Sequence, residues 1–204
     1  MTDSQAQDTE IMEAVRAGDE SAFLSIYRRL QAPVFRFALH VSGSKPVAED
    51  VTQEVFLNLM HRPGRFDARK GTLASYVMGT ARNCLLGRLR KERGMVPLGS
   101  AAEGSCGRPE PADAAPDPLS GVVRTETVRW VRQAVVSLPL RYREVLVLCD
   151  LDERSYQEAS EILGCATGTV RSRLHRAREL LVQKLRVAKT QTEPARAGSR
   201  RCPA

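Results

Sequence analysis

Aromatic residues make up only 5% of the 204-residue sequence, and tryptophan occurs once, at Trp130. That scarcity argues against an aromatic-rich β sandwich and for compact helical units filled by Leu, Val, Ile and Ala. Histidine is as sparse. His40, His61 and His175 stand far apart, so neither a metal-binding tract nor a His-based nucleophile pair is written into the chain. The five cysteines, Cys84, Cys106, Cys149, Cys165 and Cys202, form no C-x-x-C pair and have no His at metal-ligand spacing. Their odd number and wide scatter suit reduced thiols in a cytosol, with Cys84, Cys149 and Cys165 read as packing residues rather than redox sensors. No apolar run approaches the roughly 18–20 residues that span a bilayer. Residues 1–10 are polar and acidic, unlike a signal peptide. These absences predict a cytoplasmic protein with no catalytic residues, no metal site and no cofactor.

What the sequence does have is positive charge carried by arginine. Lys and Arg number 31 against 24 Asp and Glu, for a net charge of +7, and the only lysines are Lys45, Lys70, Lys91, Lys184 and Lys189. A small basic chain often meets a polyanion, although charge alone does not separate DNA from RNA or an anionic membrane. The planar guanidinium fork suits phosphates and guanine edges. A GC-rich genome that favours Arg codons would leave the same composition.

Gly, Pro, Ala and acidic residues fill residues 94–120 without periodicity, which predicts a flexible linker. Residues 189–204 read as a disordered tail. On either side of the linker, helical periodicity runs over 8–93 and 121–188. The predicted fold is therefore all-α: two small helical domains joined by a flexible linker.

The first block predicts a short helix over 8–17, ended by Gly18. Asp19 caps a second helix carrying Phe23, Leu24, Ile26, Tyr27 and Leu30, which Pro33 kinks or restarts before Val34, Phe35, Phe37 and Leu39. After a break at 42–46, a third helix over 47–60 sets Val51, Val55 and Leu59 on one face, with Asp50, Gln53, Glu54 and Asn58 interleaved. A basic loop over 61–71 follows, and Thr72 caps a fourth helix reaching about residue 93.

The second block opens with a helix over 122–138, with Trp130 as its core anchor, and a second from Pro139 over 140–151. Ser155 and Glu158 stand at capping-box spacing, and Gly164 suits the left-handed residue that ends a helix. After Cys165-Ala166, Thr167 is read as the cap of the next helix. Its apolar stripe is Val170, Leu174, Ala177, Leu181 and Leu185; its other faces carry Arg171, Ser172, Arg173, His175, Arg176 and Arg178. A short helix, a glycine turn and a helix with a basic start make the helix-turn-helix plan. In it the second helix enters the major groove and its first residues reach base edges. An ordinary helical hairpin with a solvated basic face has the same outline.

The stretches AEDVTQEVFLNL and TLASYVMGTARNCLLGRLRKER resemble region 2 of the extracytoplasmic-function (ECF) sigma factors of the sigma-70 family. SLPLRYREVLVLCDLDERSYQEASEILGCATGTVRSRLHRAREL resembles their region 4. The resemblance covers nearly all of residues 10–187, with both motifs in the family's order. Gly79 stands where the family often has Arg, and Tyr76 where Trp is frequent. The resemblance implies a region 2 bundle over 8–93 and a region 4 helix-turn-helix over 121–188. Their joint task would be to bind RNA polymerase core and direct initiation at specific promoters, in a stress or envelope response. It implies three partners: polymerase core, promoter DNA and an anti-sigma factor. It puts Asp50, Gln53, Glu54 and Asn58 on the coiled coil of the largest polymerase subunit; without it, that polar face reads as merely solvated. It gives −10 recognition and melting to Arg62, Arg65, Phe66, Lys70, Tyr76, Arg82, Asn83 and Arg90. There Phe66 and Tyr76 are either stacking platforms for an opened base or core residues. It gives the −35 duplex to Thr167, Thr169, Arg171, Ser172, Arg173, His175 and Arg176, with Arg171, Ser172 and Arg176 nearest to DNA. His175 reads equally as a surface residue, and Arg178 as merely solvated. Nucleoid association during initiation would follow. The alternative is a stand-alone helix-turn-helix regulator that binds duplex DNA without polymerase; it would not need the first block's docking helix.

Overall fold

The computed structural model describes residues 3–94 and 121–192. Among the described residues there are helices and turns but no strand. The first domain comprises α1 (Asp3–Arg16), α2 (Glu20–Ser42), α3 (Lys45–His61) and α4 (Leu73–Gly94), with a 3-10 turn at Pro63–Arg65. Asp19 caps α2 by accepting the N–H groups of Ser21 at 2.8 Å and Ala22 at 3.3 Å. Gly43, at φ 74°, ends it in the left-handed conformation that favours glycine. Only Gly43 and Ser44 separate α2 from α3, because Ser44 caps α3 and Pro46 sits in its first turn, where no N–H is required.

Four boundaries differ from the sequence expectation. Helix α1 starts at Asp3, five residues before the expected 8, since nothing between them breaks a helix. Helix α2 runs through Pro33 without a restart. Leu30, Val34 and Phe37, all nearly fully buried, bind both halves to the same core, and that packing outweighs one missing hydrogen bond. The expected linker over 94–120 and tail over 189–204 are each trimmed. Gly94 closes α4, and 95–120 lie outside the described residues. Residues 189–192 continue the last helix because no Gly or Pro intervenes before Pro194, and 193–204 lie outside the described residues.

The second domain comprises α5 (Gly121–Val136), α6 (Leu140–Leu146), a π-helical turn at Val147–Leu151, α7 (Tyr156–Leu163) and α8 (Thr167–Thr192). The expected capping box forms: Ser155 Oγ accepts the Glu158 N–H at 3.2 Å, and Glu158 Oε2 accepts the Ser155 N–H at 2.9 Å. Gly164 ends α7 at φ 63°. Thr167 is not the cap of α8 but its first helical residue; the Ala166 carbonyl takes the first bonds, from Thr169 and Val170. Trp130 is not a core anchor. It stays half-exposed, while Val135 and Leu138 at the end of the same segment are buried.

The buried side chains of both domains form one continuous cluster, from Met12 and Phe37 to Leu148 and Leu174. Helix α7 lies across α4, and α5 and α6 lie against the end of α2. Arg143, buried in α6, donates through Nη1 to the Val41 carbonyl of α2 at 2.6 Å and through Nη2 to the Leu138 carbonyl at 2.9 Å.

Candidate polymerase and nucleic-acid interfaces

Helix α8 separates its two faces as the sequence predicts. Val170, Leu174 and Ala177 are buried, while Arg171, Ser172, His175 and Arg176 are exposed. The Arg171 guanidinium lies 5.8 Å from the Tyr156 ring centroid, so α7 presents an aromatic face at the foot of the basic one. Arg176 Nη1 donates to Glu179 Oε2 at 2.8 Å, and His175 Nε2 is 3.4 Å from Glu179 Oε1. Thr167, Thr169 and Arg173 are half-buried and stand apart from the exposed group. Arg173 lies on the side toward α6, where its charge acts on Glu144. Arg178 is not merely solvated: it grips Asp150 with a fork of 3.0 Å and 2.6 Å, tying α8 to the π-helical turn.

In the first domain, a cavity of about 410 Å³ gathers Arg65, Phe66, Lys70, Tyr76, Arg82 and Asn83. Arg62 and Arg90 are exposed outside its lining. Phe66 is 5% exposed and meets Tyr76 edge-on, with centroids 5.7 Å apart; Tyr76 is half-buried beside it. Phe66 therefore supports the Tyr76 ring from the core side, and Tyr76 is the more accessible of the two faces. Arg82 is committed elsewhere, with Nε 2.8 Å from Glu144 Oε1 of the second domain.

Two residues that shape this site carry no sequence signal. Arg16 of α1 donates to the Phe66 carbonyl at 3.1 Å and the Pro63 carbonyl at 3.4 Å, which stitches the basic loop to the bundle. Asp8, almost fully buried, accepts the Leu73 N–H at 2.7 Å and so caps α4 from another helix. Thr72 caps it locally, accepting the Ser75 N–H at 3.1 Å. Neither Asp8 nor Arg16 is near its partner in sequence, so only the fold brings them there.

The third surface lies between α2 and α3. A groove of about 560 Å³ is lined by Phe23, Tyr27, Phe35, Phe56, Leu57 and Met60 among others, with Gln53 at its edge. Phe56 stacks edge-on with Tyr27 at 4.8 Å. Leu57 and Met60 in its lining are 42% and 47% exposed, apolar surface that water does not favour. Of the expected docking residues, Gln53 joins this groove. Asp50 and Glu54 turn toward α4 and hold Arg88 between them, at 2.8 Å and 2.9 Å; Asn58 is half-exposed on that side. The sequence reading missed Leu57 and Met60. Their signal was present: both are apolar, yet fall off the Val51, Val55 and Leu59 stripe.

Cys84, Cys149 and Cys165 are free and half-buried. Burial, reinforced by the Glu54 charge, pushes the Cys84 thiol up to about 11, which leaves it protonated and unreactive at neutral pH. Among the described residues, no group of three or more His, Cys, Asp or Glu could hold a metal, and no helix is long and apolar enough to cross a membrane.

Residues 26–94 match the family model for Sigma-70 region 2, and residues 129–181 that for Sigma-70, region 4. The chain is 31% identical over 175 residues to the ECF RNA polymerase sigma factor SigW of Bacillus subtilis, covering 84% of this chain and 93% of that one. It is 29% identical over 188 residues to the RNA polymerase sigma-H factor of Pseudomonas aeruginosa, covering 89% and 95%. Among solved structures, CnrH in complex with the cytosolic domain of CnrY superposes with a TM-score of 0.61 at 22% identity, covering 88% of this chain and 97% of that one. The sigma factor RpoE of Bartonella quintana, bound to the anti-sigma factor NepR, superposes with a TM-score of 0.59 at 24% identity, covering 81% and 97%. The chain belongs to the ECF sigma factors of the sigma-70 family, which bind RNA polymerase core and direct promoter-specific initiation.

Proposed function

We propose that the three surfaces divide the work of a sigma factor as follows. The α2–α3 groove, with Gln53, Leu57 and Met60, and the neighbouring face of Asp50, Glu54 and Asn58 dock on polymerase core. An exposed apolar patch bordered by polar and acidic groups suits a partner that is bound and released. The cavity between the basic loop and α4 receives an opened −10 base against Tyr76, backed by Phe66, with Asn83 for a hydrogen bond. Arg62, Arg65, Lys70, Arg82 and Arg90 follow the phosphates. The exposed face of α8 reads the −35 duplex through Arg171, Ser172, His175 and Arg176; Thr167 and Thr169 border the phosphate backbone, and Arg173 supports from behind.

The observation that carries this reading is the division of α8, where Val170, Leu174 and Ala177 are buried while Arg171, Ser172, His175 and Arg176 are exposed. The protein works without catalytic chemistry of its own, in the cytoplasm at the nucleoid. Two similar solved structures are complexes, one of them with an anti-sigma factor by its own description; we infer an anti-sigma partner for this chain too, seated on the same apolar groove.

Run-off transcription tests the reading directly, using purified chain, bacterial polymerase core and promoter fragments from the source genome. Discrete transcripts that require the chain, and whose yield falls for Leu57→Arg and Arg171→Ala, are the expected result. Duplex binding without core, together with no chain-dependent transcript, would replace it with a stand-alone regulator.

A further inference from the structure

Arg88 continues the buried line of Ala81 and Leu85 by one turn, on a helix that packs along α3. Its guanidinium crosses to α3 and uses three of its five donors there. Nη1 donates to Asp50 Oδ2 at 2.8 Å, while Nη2 and Nε both donate to Glu54 Oε2, at 2.9 Å and 3.3 Å. Asp50 and Glu54 stand one turn apart on α3, where like charges repel. A single cation between them removes that repulsion and fixes where each carboxylate sits. Cys84, one turn before Arg88, adds a thiol hydrogen bond to Glu54.

The clasp is graded from inside to outside. The Arg88 side chain is 34% exposed, and those of Asp50 and Glu54 are 58% and 43%. The cation is thus the inner member and the carboxylates face outward. Among the described residues, Asp50 accepts through Oδ2 alone, which leaves Oδ1 for a partner's donor. Leu57 lies seven residues on from Asp50, nearly two full turns, so it falls on almost the same line of α3. The acidic edge therefore runs into the apolar groove that Leu57 and Met60 line.

The clasp is not what holds the two helices together. Val51 and Val55 of α3 and Ala81 and Leu85 of α4 are buried, and an ion pair this exposed adds little to such packing. What it changes is the freedom of the carboxylates. An unpaired acidic side chain on a helix surface samples several rotamers, and ordering it on binding costs affinity. Carboxylates gripped by a planar fork are ordered beforehand.

We propose that Arg88 is a positioning residue for polymerase docking: it presents Asp50 and Glu54 to core as one pre-ordered acidic edge, so that core meets an Asp–Arg–Glu unit rather than two independent carboxylates. The complementary group on core is a guanidinium or ammonium facing Asp50. The inference rests on the assignment of Asp50 and Glu54 to core docking, and the test separates the two.

Fluorescence anisotropy with labelled full-length chain and purified bacterial RNA polymerase core measures the effect; binding of a −35 duplex and thermal melting report on the fold. Arg88→Gln is expected to weaken core affinity about tenfold, with duplex affinity unchanged. Arg88→Lys keeps the charge without the fork and should recover only part of the loss. In a chain carrying both Asp50→Asn and Glu54→Gln, adding Arg88→Gln should have no further effect on core affinity, because Arg88 acts through those carboxylates. Unchanged core binding by Arg88→Gln overturns the proposal, and so does stronger binding, which would make Arg88 a competitor for the carboxylates. Full recovery in Arg88→Lys overturns it by reducing the role to net charge. An undiminished effect in the double amide background does so as well, since the loss would then not pass through Asp50 and Glu54. The double amide chain by itself separates the two assignments. If it binds core as the parent does, the α3 carboxylates are not docking groups and both readings fall. If it binds weakly while Arg88→Gln binds normally, the docking assignment stands and only the positioning role falls.

Discussion

The carboxylate of Asp8 in α1 accepts the backbone N–H of Leu73, the first residue of α4, at 2.7 Å across 65 residues of sequence. Its other oxygen is 3.3 Å from Arg29 Nη2 of α2. One buried side chain thus fastens three helices at the point where the basic loop ends. Asp8→Ala leaves the Leu73 N–H without that acceptor in a buried site. A loss of about 1–3 kcal/mol is expected, the usual cost of an orphaned buried donor. Chemical denaturation measures it, and a change within a few tenths of a kcal/mol would mean that water replaces the carboxylate.

Asp152 is the opposite case. Its side chain is 4% exposed and stands 3.9 Å from Arg36, and neither carboxylate oxygen has a hydrogen-bond partner. Burial raises its carboxyl above 3.8, against the Arg36 and Arg154 charges. Because the folded value exceeds the unfolded one, the folded state binds the proton more tightly, and stability at this site increases as pH falls through the raised value. Asp152→Asn should therefore stabilise the chain at neutral pH, with the advantage shrinking as pH falls toward 3.8. Thermal melts of both proteins across that range test it; an advantage that does not depend on pH would assign the gain to the amide's new hydrogen bonds.

The capping box has the reverse sign. Burial raises the Glu158 carboxyl, but its bonds from Ser155 and Arg154 outweigh that, and the net shift is below 4.5. Its contribution is present above 4.5 and fades as pH falls through the depressed folded value. Ser155→Ala should destabilise α7 by about 1 kcal/mol at neutral pH. The difference from the parent should narrow in acid, as read by denaturant melts at pH 7 and pH 3.

The elements legible in the sequence were those set by local chemistry. Asp19, Ser155 with Glu158, and Gly164 all end or start helices where their side chains or φ angles require. The stripe of Val170, Leu174 and Ala177 fixes the orientation of α8. Pro33 misled because a local rule met a global one: the core on both sides of it keeps α2 straight through. Trp130 misled because size was read as burial, whereas the smaller Val135 and Leu138 face the core. Asp8, Arg16 and Glu144 were invisible, since their partners lie 47 to 65 residues away. Glu144 also masks the role of Arg82, which from sequence alone looked free for phosphate.

The apolar groove yields a sharp contrast between stability and binding. Leu57 is 42% exposed, so Leu57→Arg removes little buried area and should change stability by no more than about 0.5 kcal/mol. At the centre of a docking patch the same change introduces a charge that must be desolvated against polymerase, which should weaken core binding about tenfold or more. Fluorescence anisotropy with labelled chain and core measures the second effect. Full core affinity in a stably folded Leu57→Arg protein would move the docking site away from the α2–α3 groove.

On α8, three of the four arginines in residues 171–178 should behave differently. Arg171 is exposed against the Tyr156 ring, and Arg176 is exposed and donates to Glu179. Arg178 is bound by both oxygens of Asp150. Arg171→Ala and Arg176→Ala should each weaken −35 duplex binding about tenfold and lower its salt slope, while sparing core affinity. Arg178→Ala should leave duplex affinity nearly unchanged and lower thermal stability instead, since its fork joins α8 to the π-helical turn. Glu179→Gln should strengthen duplex binding, because it releases Arg176 and removes a negative charge from the path of a phosphate. Gel-shift titrations at several salt concentrations read all four variants. If Arg178→Ala lost as much affinity as Arg171→Ala, duplex DNA would have to reach farther along α8, displacing the Asp150 pair on binding.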